Sequence, residues 1–307
     1  MDIFLQQLVN GLVQGSIYAL VALGYTMVYG IMGLINFAHG EVVMIGTLVS
    51  ITVAGTLIDA GMPVALAGLV GLVTAVLSCM ALGWSLERVA YRPLRDAPRL
   101  TPLITAIGMS IVLQNLAMIV WGRNYLTFPA FLPKLSFEWA GAYFTLVQVL
   151  IVLVSALTMA ALLFLVYRTK LGMAMRATAQ NPAVASLMGV NINRVIAAAF
   201  VIGSALGAVA GVMVGSYYEI AHYQMGFMLG LKAFTAAVLG GIGNLAGAMA
   251  GGVLLGIIEA LGAGYIGDLT GGFLGSHYQD IFAFVVLIGV LMFKPSGLFG
   301  EKTGERA

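Results

Sequence analysis

Apolar residues come in long runs along this chain, separated by short polar stretches. Runs able to cross about 30 Å of hydrocarbon extend roughly from Leu8 to Met32, Val42 to Leu57, Val64 to Leu86, Pro102 to Trp121, Phe144 to Val166, Val195 to Tyr217, Ala233 to Leu261 and Ile281 to Phe293. These eight runs predict an all-α integral membrane protein, a polytopic helical bundle forming a single transmembrane domain over residues 1–307. The polar stretches that stand out are about 87–100, 167–194 and the tail 294–307.

Basic residues orient the bundle, because loops rich in Lys and Arg stay cytoplasmic. The stretch ERVAYRPLRDAPRL, from Glu87 to Leu100, holds four arginines, and the stretch from Arg168 to Arg194 holds Arg168, Lys170, Arg176 and Arg194 with no Asp or Glu. With both inside, the N-terminus falls outside. If every later run crossed once, however, the tail with Lys294, Lys302 and Arg306 would be external, and the segment Gly262 to Gln279, which lacks Lys and Arg, would be internal. The conflict disappears if Ala233 to Leu261 is a broken hairpin that enters from outside and returns there, giving nine segments and a cytoplasmic C-terminus. Its turn is expected at Gly240, Gly241, Ile242, Gly243 and Asn244, where glycines allow backbone conformations that other residues resist. Cytoplasmic segments then hold 11 of the 14 basic residues, leaving Arg123, Lys134 and Lys232 external.

The stretch Arg168 to Arg194 contains its own local structure. Asn181 is an N-cap, Pro182 takes the first helical position, Ala183 to Met188 continue a short helix and Gly189 stops it. A helix this short is unstable in water without something to pack on. Val184, Leu187 and Met188 give it an apolar side by three-and-four spacing. It either lies along the membrane surface beneath its own bundle or docks on a cytoplasmic protein.

Composition agrees with the membrane assignment: 61% of residues are hydrophobic and 8% charged, against roughly 45–50% and 25% in soluble domains. A formal net charge of +2 gives no basic surface for nucleic acid. The single cysteine, Cys79, lies inside an apolar run, where packing is its expected role. The N-terminus has neither a basic leader nor a small-residue cleavage site, so the first run is expected to be retained.

Three segments carry a family resemblance. GMAMRATAQNPAVASLMGVN (from Gly172), ALGYTMVYGIMGLINFAHGEVVMIG (from Ala22) and AAVLGGIGNLAGAMAGG (from Ala236) resemble the permease subunits of bacterial ABC importers, specifically the branched-chain amino acid permease family and its LivH-type members. The resemblance spans about Val9 to Phe299. It implies a multi-pass protein of the bacterial inner membrane with two permease subunits, the same or different chains, around a central path. It also implies a periplasmic substrate-binding protein and separate cytoplasmic ATPase subunits that bind ATP and Mg. The ATPase-coupling residues it implies are Arg176, Asn181, Pro182, Val184, Leu187, Met188 and Gly189, and the usual cargo is a branched-chain or other small amino acid.

Other polar residues in apolar surroundings are candidates for the translocation path, since ionisable groups there are costly and functional by default. They are Asn36, His39 and Glu41, which interrupt the pattern from Gly30 to Glu41, with Asn244 at the expected hairpin turn and Glu259. The plainer reading of the first three is a cytoplasmic turn with Asn36 capping the next helix, and Glu259 is expected near the outer surface, where it would be solvated. Glu219, His222 and Lys232 are expected on a polar external segment. Gly203, Gly207, Gly211 and Gly215 form a bare stripe for close helix packing. Nothing in the sequence makes a catalytic constellation: the three histidines lie far apart, and there is no GxxxxGK[ST] phosphate loop. The chain is therefore expected to be no enzyme and to hold no cofactor of its own. The alternative from another class is an ion-coupled secondary transporter or channel for a small polar solute, with Glu41 or Glu259 as proton carriers.

Overall fold

The computed structural model describes residues 2–95, 97–98, 100–133, 135–139, 141–271 and 279–300. Eleven α-helices account for most of it: α1 (Asp2–Met32), α2 (His39–Asp59), α3 (Val64–Leu86), α4 (Leu100–Trp121), α5 (Leu146–Arg168), α6 (Lys170–Gln180), α7 (Pro182–Leu187), α8 (Ile192–Tyr218), α9 (Met225–Gly240), α10 (Leu245–Leu269) and α11 (Gln279–Phe293). Among the described residues seven helices are long and apolar enough to cross a membrane, and two apolar helices, Met225–Gly240 and Phe284–Phe293, are shorter. Expectations at Arg99, Lys134, His277, Lys302 and Arg306 lie outside the described residues.

The bundle has two distinct ends. At one end short strands close the loops: β1 (Leu126–Thr127) pairs antiparallel with β4 (Ile220–Ala221), and β2 (Ser136–Trp139) with β3 (Ala142–Thr145). α1 begins there, its Gln6 bonded to the Tyr143 backbone at 2.8 and 2.9 Å. At the other end lie α6, α7 and the turn between α9 and α10, which shares a cavity with Tyr167, Arg176 and Pro295.

α1 runs through the middle, with Ile17 to Leu23 buried. Its main partner is α10, which lies antiparallel to it. Small residues bring the two backbones together: a Cβ on Gly15 would stand 2.7 Å from the Val253 Cα, and one on Gly11 2.6 Å from the Ile257 Cα. Against the opposite side of α1 pack α8 and the start of α2. The glycine stripe of α8 turns inward within this chain, Gly203 onto Gly24, Gly207 onto His39 and Val43, Gly211 onto Val43 and Thr47, and Gly215 onto Phe128 and Thr47.

The run Ala233 to Leu261 is two helices, broken at residues 241–244, and both extend past its limits. α9 begins at Met225, so Lys232 belongs to a helix rather than an external loop. α10 reaches Leu269 and takes up much of the expected external segment. Gly241 and Gly243 have φ of 108° and 96°, a region open to glycine. The turn stands at the α7 end of the bundle. Residues 294–300 fold back onto it, with the backbone N–H groups of Leu298 and Phe299 donating to the carbonyls of Leu239 and Gly240 at 2.9 Å each.

Candidate functional site

α6 and α7 form a built projection at one end of the bundle. Thr169 caps α6 by accepting from the Gly172 N–H at 3.1 Å, and the buried face of α6, Gly172, Met175 and Thr178, seats it on the bundle. A side chain at Gly172 would strike the backbone carbonyls of Leu165 and Val166. Arg176 is exposed and lines the cavity beside the α9–α10 turn, with its guanidinium 5.3 Å from the centre of the Tyr167 ring. This helix is not evident from the sequence, because its buried face is small or polar as often as it is apolar. Thr169 as a cap was the available signal.

α7 follows after one residue. The Asn181 Oδ1 accepts from the Val184 N–H at 3.1 Å, and Pro182 occupies the first turn, where its missing N–H costs nothing. At the other end Gly189 has a φ of 86°. The Gly189 N–H donates to the Ser186 carbonyl and the Val190 N–H to the Ala185 carbonyl, both at 3.0 Å, the paired bonds that close a helix in a left-handed glycine cap. Ala185 is buried, whereas Val184, Leu187 and Met188 are 53%, 86% and 80% exposed. The apolar side of α7 therefore faces away from its own bundle. Asn191 then caps α8 through the Arg194 N–H at 3.1 Å, so a fixed four-residue link joins α7 to a helix of 27 residues.

A second polar cluster lies inside the bundle. Residues 33–38 turn back after α1, and α2 starts beside Gly24, with His39, Gly40 and Glu41 all buried. The N-cap is Ala38, without a side-chain bond. Asn36 does not cap with its side chain; its Oδ1 accepts from the Tyr91 hydroxyl at 2.7 Å, and only its backbone carbonyl accepts from the His39 N–H, at 3.0 Å. His39 fits because residue 24 is glycine; a Cβ there would overlap the imidazole. One oxygen of Glu41 accepts from the Ser110 hydroxyl at 3.0 Å. Its other oxygen and His39 Nε2 have no protein hydrogen-bond partner. Tyr25, which the sequence reading did not single out, stands edge-on to His39 with ring centres 4.9 Å apart. Tyr25 and Ser110 also line a cavity of about 520 Å³ with Gln114, Gln224, Phe227 and Met228.

Glu259 is 1% exposed and pairs with Lys232 at 3.1 Å, with the Tyr18 hydroxyl donating to the same oxygen at 2.8 Å. The expectation of a solvated outer carboxylate is thus corrected: α10 continues beyond it, and α1 and α9 cover it. Asn244 is occupied at both ends of its amide, accepting from the Gly247 N–H and donating to the Phe299 carbonyl at 3.0 Å each. It caps α10 at the α7 end and shares no contact with Glu41 or Glu259. His222 remains at the strand end, bonded to the Arg123 carbonyl at 3.0 Å. Among the described residues no three His, Cys, Asp or Glu side chains gather closely enough to hold a metal ion.

Comparison with known proteins places the sequence in a family. Residues 7–291 match the family model for the branched-chain amino acid transport system / permease component. The high-affinity branched-chain amino acid transport system permease protein LivH of Escherichia coli (strain K12) is 46% identical, the alignment taking in 99% of this chain and 97% of that protein. BraD of Pseudomonas aeruginosa, described in the same words, is 47% identical over 99% of this chain and 98% of its own length. Among solved structures, PsaBC from Streptococcus pneumoniae in complex with Fab aligns over 96% of this chain at 13% identity, with a TM-score of 0.46. A polytopic helical chain matched over nearly its whole length belongs to the family of branched-chain amino acid transport permease components.

Proposed function

We propose that this chain is the transmembrane permease subunit of an ATP-driven importer for branched-chain amino acids in a bacterial inner membrane, with α7 as the element that docks on a separate ATPase. The observation that carries the reading is the outward-facing apolar trio Val184, Leu187 and Met188 on a helix capped at both ends. Exposed apolar surface on a rigid short helix is suited to a groove in a partner. The strand end is then periplasmic and receives a substrate-binding protein, and the α7 end, with Arg176 beside it, is cytoplasmic. ATP and Mg belong to the partner subunits, and a second permease subunit completes the path.

In this scheme closure of the ATPases on ATP pushes α7. The four-residue link passes the push to α8, whose glycine face lies on His39, Val43 and Thr47 of α2. Asn36, His39 and Glu41 are thereby placed where α8 can shift them. They form the inner part of the path, with Glu41 behind the cavity that Ser110 lines. Asn244 serves the path indirectly by holding the α9–α10 turn.

The test is co-purification of the intact chain from native membranes, in mild detergent, against a Leu187→Glu/Met188→Glu variant. Both positions are exposed, so the variant is expected to insert normally and to lose the associated ATPase and ATP-driven leucine uptake. Glu41, buried with one oxygen lacking a protein partner, favours the second reading, an ion-coupled carrier. That reading replaces the first if no ATPase accompanies the intact chain and solute still moves down an ion gradient.

A further inference from the structure

Lys232 and Glu259 occupy unequal positions. Glu259 is enclosed between α1, α9 and α10, while Lys232 is 14% exposed and borders a cavity of about 290 Å³ at the strand end. Tyr18 serves both, donating to Glu259 at 2.8 Å and lying 3.4 Å from the Lys232 Nζ, with its ring centre 5.7 Å from that nitrogen. A pair needed only to join two helices is often replaceable by apolar side chains of similar volume without loss of stability. Here a charge that is expensive at membrane depth stands at the edge of an open space, with its counter-charge behind it.

The rest of the cavity suits one kind of occupant. Tyr125 and Tyr218 supply aromatic faces and hydroxyls, and Val214, Met228 and Leu229 supply apolar wall. The volume lies close to the lower limit of ligand sites, about 300–1,000 Å³, and suits a molecule the size of an amino acid. An ammonium at the rim repels a metal cation and attracts a carboxylate, with which it makes short charge-assisted hydrogen bonds.

We propose that this cavity binds the carboxylate of an aliphatic α-amino acid, with Lys232 as the anion-binding residue and Glu259 and Tyr18 as the positioning residues that hold it. The inference rests on the importer reading above and adds to it a site for the ligand on the delivery side. Met228 also lines the larger cavity in front of Ser110 and Tyr25, so a ligand released by Lys232 passes this methionine into a chamber whose lining side chains, among the described residues, are uncharged.

The experiment is saturation-transfer NMR on the purified importer complex in detergent, without binding protein, using three probes: L-leucine, 3-methylbutanoate, which keeps only the carboxylate, and L-leucinamide, which lacks it. The intact complex is expected to bind leucine and 3-methylbutanoate at least about tenfold more tightly than leucinamide, a difference of ~1.4 kcal/mol or more. Lys232→Arg retains this order, and Lys232→Met removes it. In the charge-reversed pair Lys232→Glu/Glu259→Lys the ion pair survives, but the cavity now faces a carboxylate, and the preference passes to leucinamide. Equal binding of leucine and leucinamide by the intact complex overturns the proposal without any variant. So does a reversed pair that still prefers leucine. ATP-driven leucine uptake in proteoliposomes is measured on the same preparation. Its absence alongside a carboxylate-dependent signal overturns the importer reading and leaves the carboxylate site standing.

Discussion

Lys232 and Glu259 show how single residues evade a sequence reading. Each is a charge in apolar surroundings: Glu259 fell inside the run Ala233 to Leu261, whereas Lys232 bounded that run and was left outside the helix that contains it. What rescues it is the neighbouring helix, and no local pattern names that partner. Removing the carboxylate exposes the cost: Glu259→Gln is expected to destabilise the subunit by less than the roughly 3–5 kcal/mol of a fully buried stranded charge, because the Lys232 it strands is 14% exposed at a cavity, read as a lowered melting temperature in detergent. Asn36 was legible as an oddity, but its role was not, because capping depends on where α2 begins and the cap position fell to Ala38. Glycines differ in the same way. At Gly108 a Cβ meets nothing, so Gly108→Ala is expected to be neutral or to stabilise by about 0.5–1 kcal/mol, the helix-propensity difference.

At the scale of elements, the local chemistry of α7 was readable in full: asparagine cap, proline at the first turn, glycine stop. The helix was predicted over Pro182 to Met188 and is found over Pro182–Leu187. Gly189→Val should strain the left-handed cap by roughly 1–2 kcal/mol, and Gly189→Asn by less, since asparagine tolerates that conformation. With open space around the position, the expected defect is in coupling: ATP-driven uptake falls for valine more than for asparagine while insertion is unchanged. α6 was not readable, because Gly172 and Thr178 on its buried face carry no apolar signal. The α1–α10 contact was equally hidden. Glycines within an apolar run announce close packing, yet the stripe on α8 was noticed for its regular spacing, while Gly11, Gly15, Gly252 and Gly256 match across two helices far apart in sequence. Gly15→Leu is expected to cost about 1–3 kcal/mol or more, because the obstacle is backbone and has little room to move; thermal melting beside Gly108→Ala checks it.

For the whole molecule, hydrocarbon thickness made the membrane helices legible from their lengths, the charge conflict called for a break within Ala233 to Leu261, and the glycines placed its turn at Gly240 to Asn244, where the two helices part at residues 241–244. Sidedness remains a measurable expectation. Cys79 is buried, so a Cys79→Ala background with single cysteines at Met188 or Glu138 is expected to react with an impermeant maleimide from opposite faces of sealed vesicles. Labelling of both from one face would reject the orientation. Helix pairing was not legible, since one apolar surface resembles another until shapes meet.

The antiparallel contact of α1 with α10 also has a temporal meaning. The helix made first finds its chief neighbour only when synthesis is nearly over, and closing such distant contacts is slow. Until then the bare flank of α1 at Gly11 and Gly15 is open to lipid or to other chains, a state in which membrane and soluble proteins alike are prone to misassembly. Residues 294–300, bonded across the α9–α10 turn, arrive later still. A nascent chain that stalls before Leu245 is therefore left with a finished α7 and an incomplete bundle, able to present its docking helix before it has anything to move.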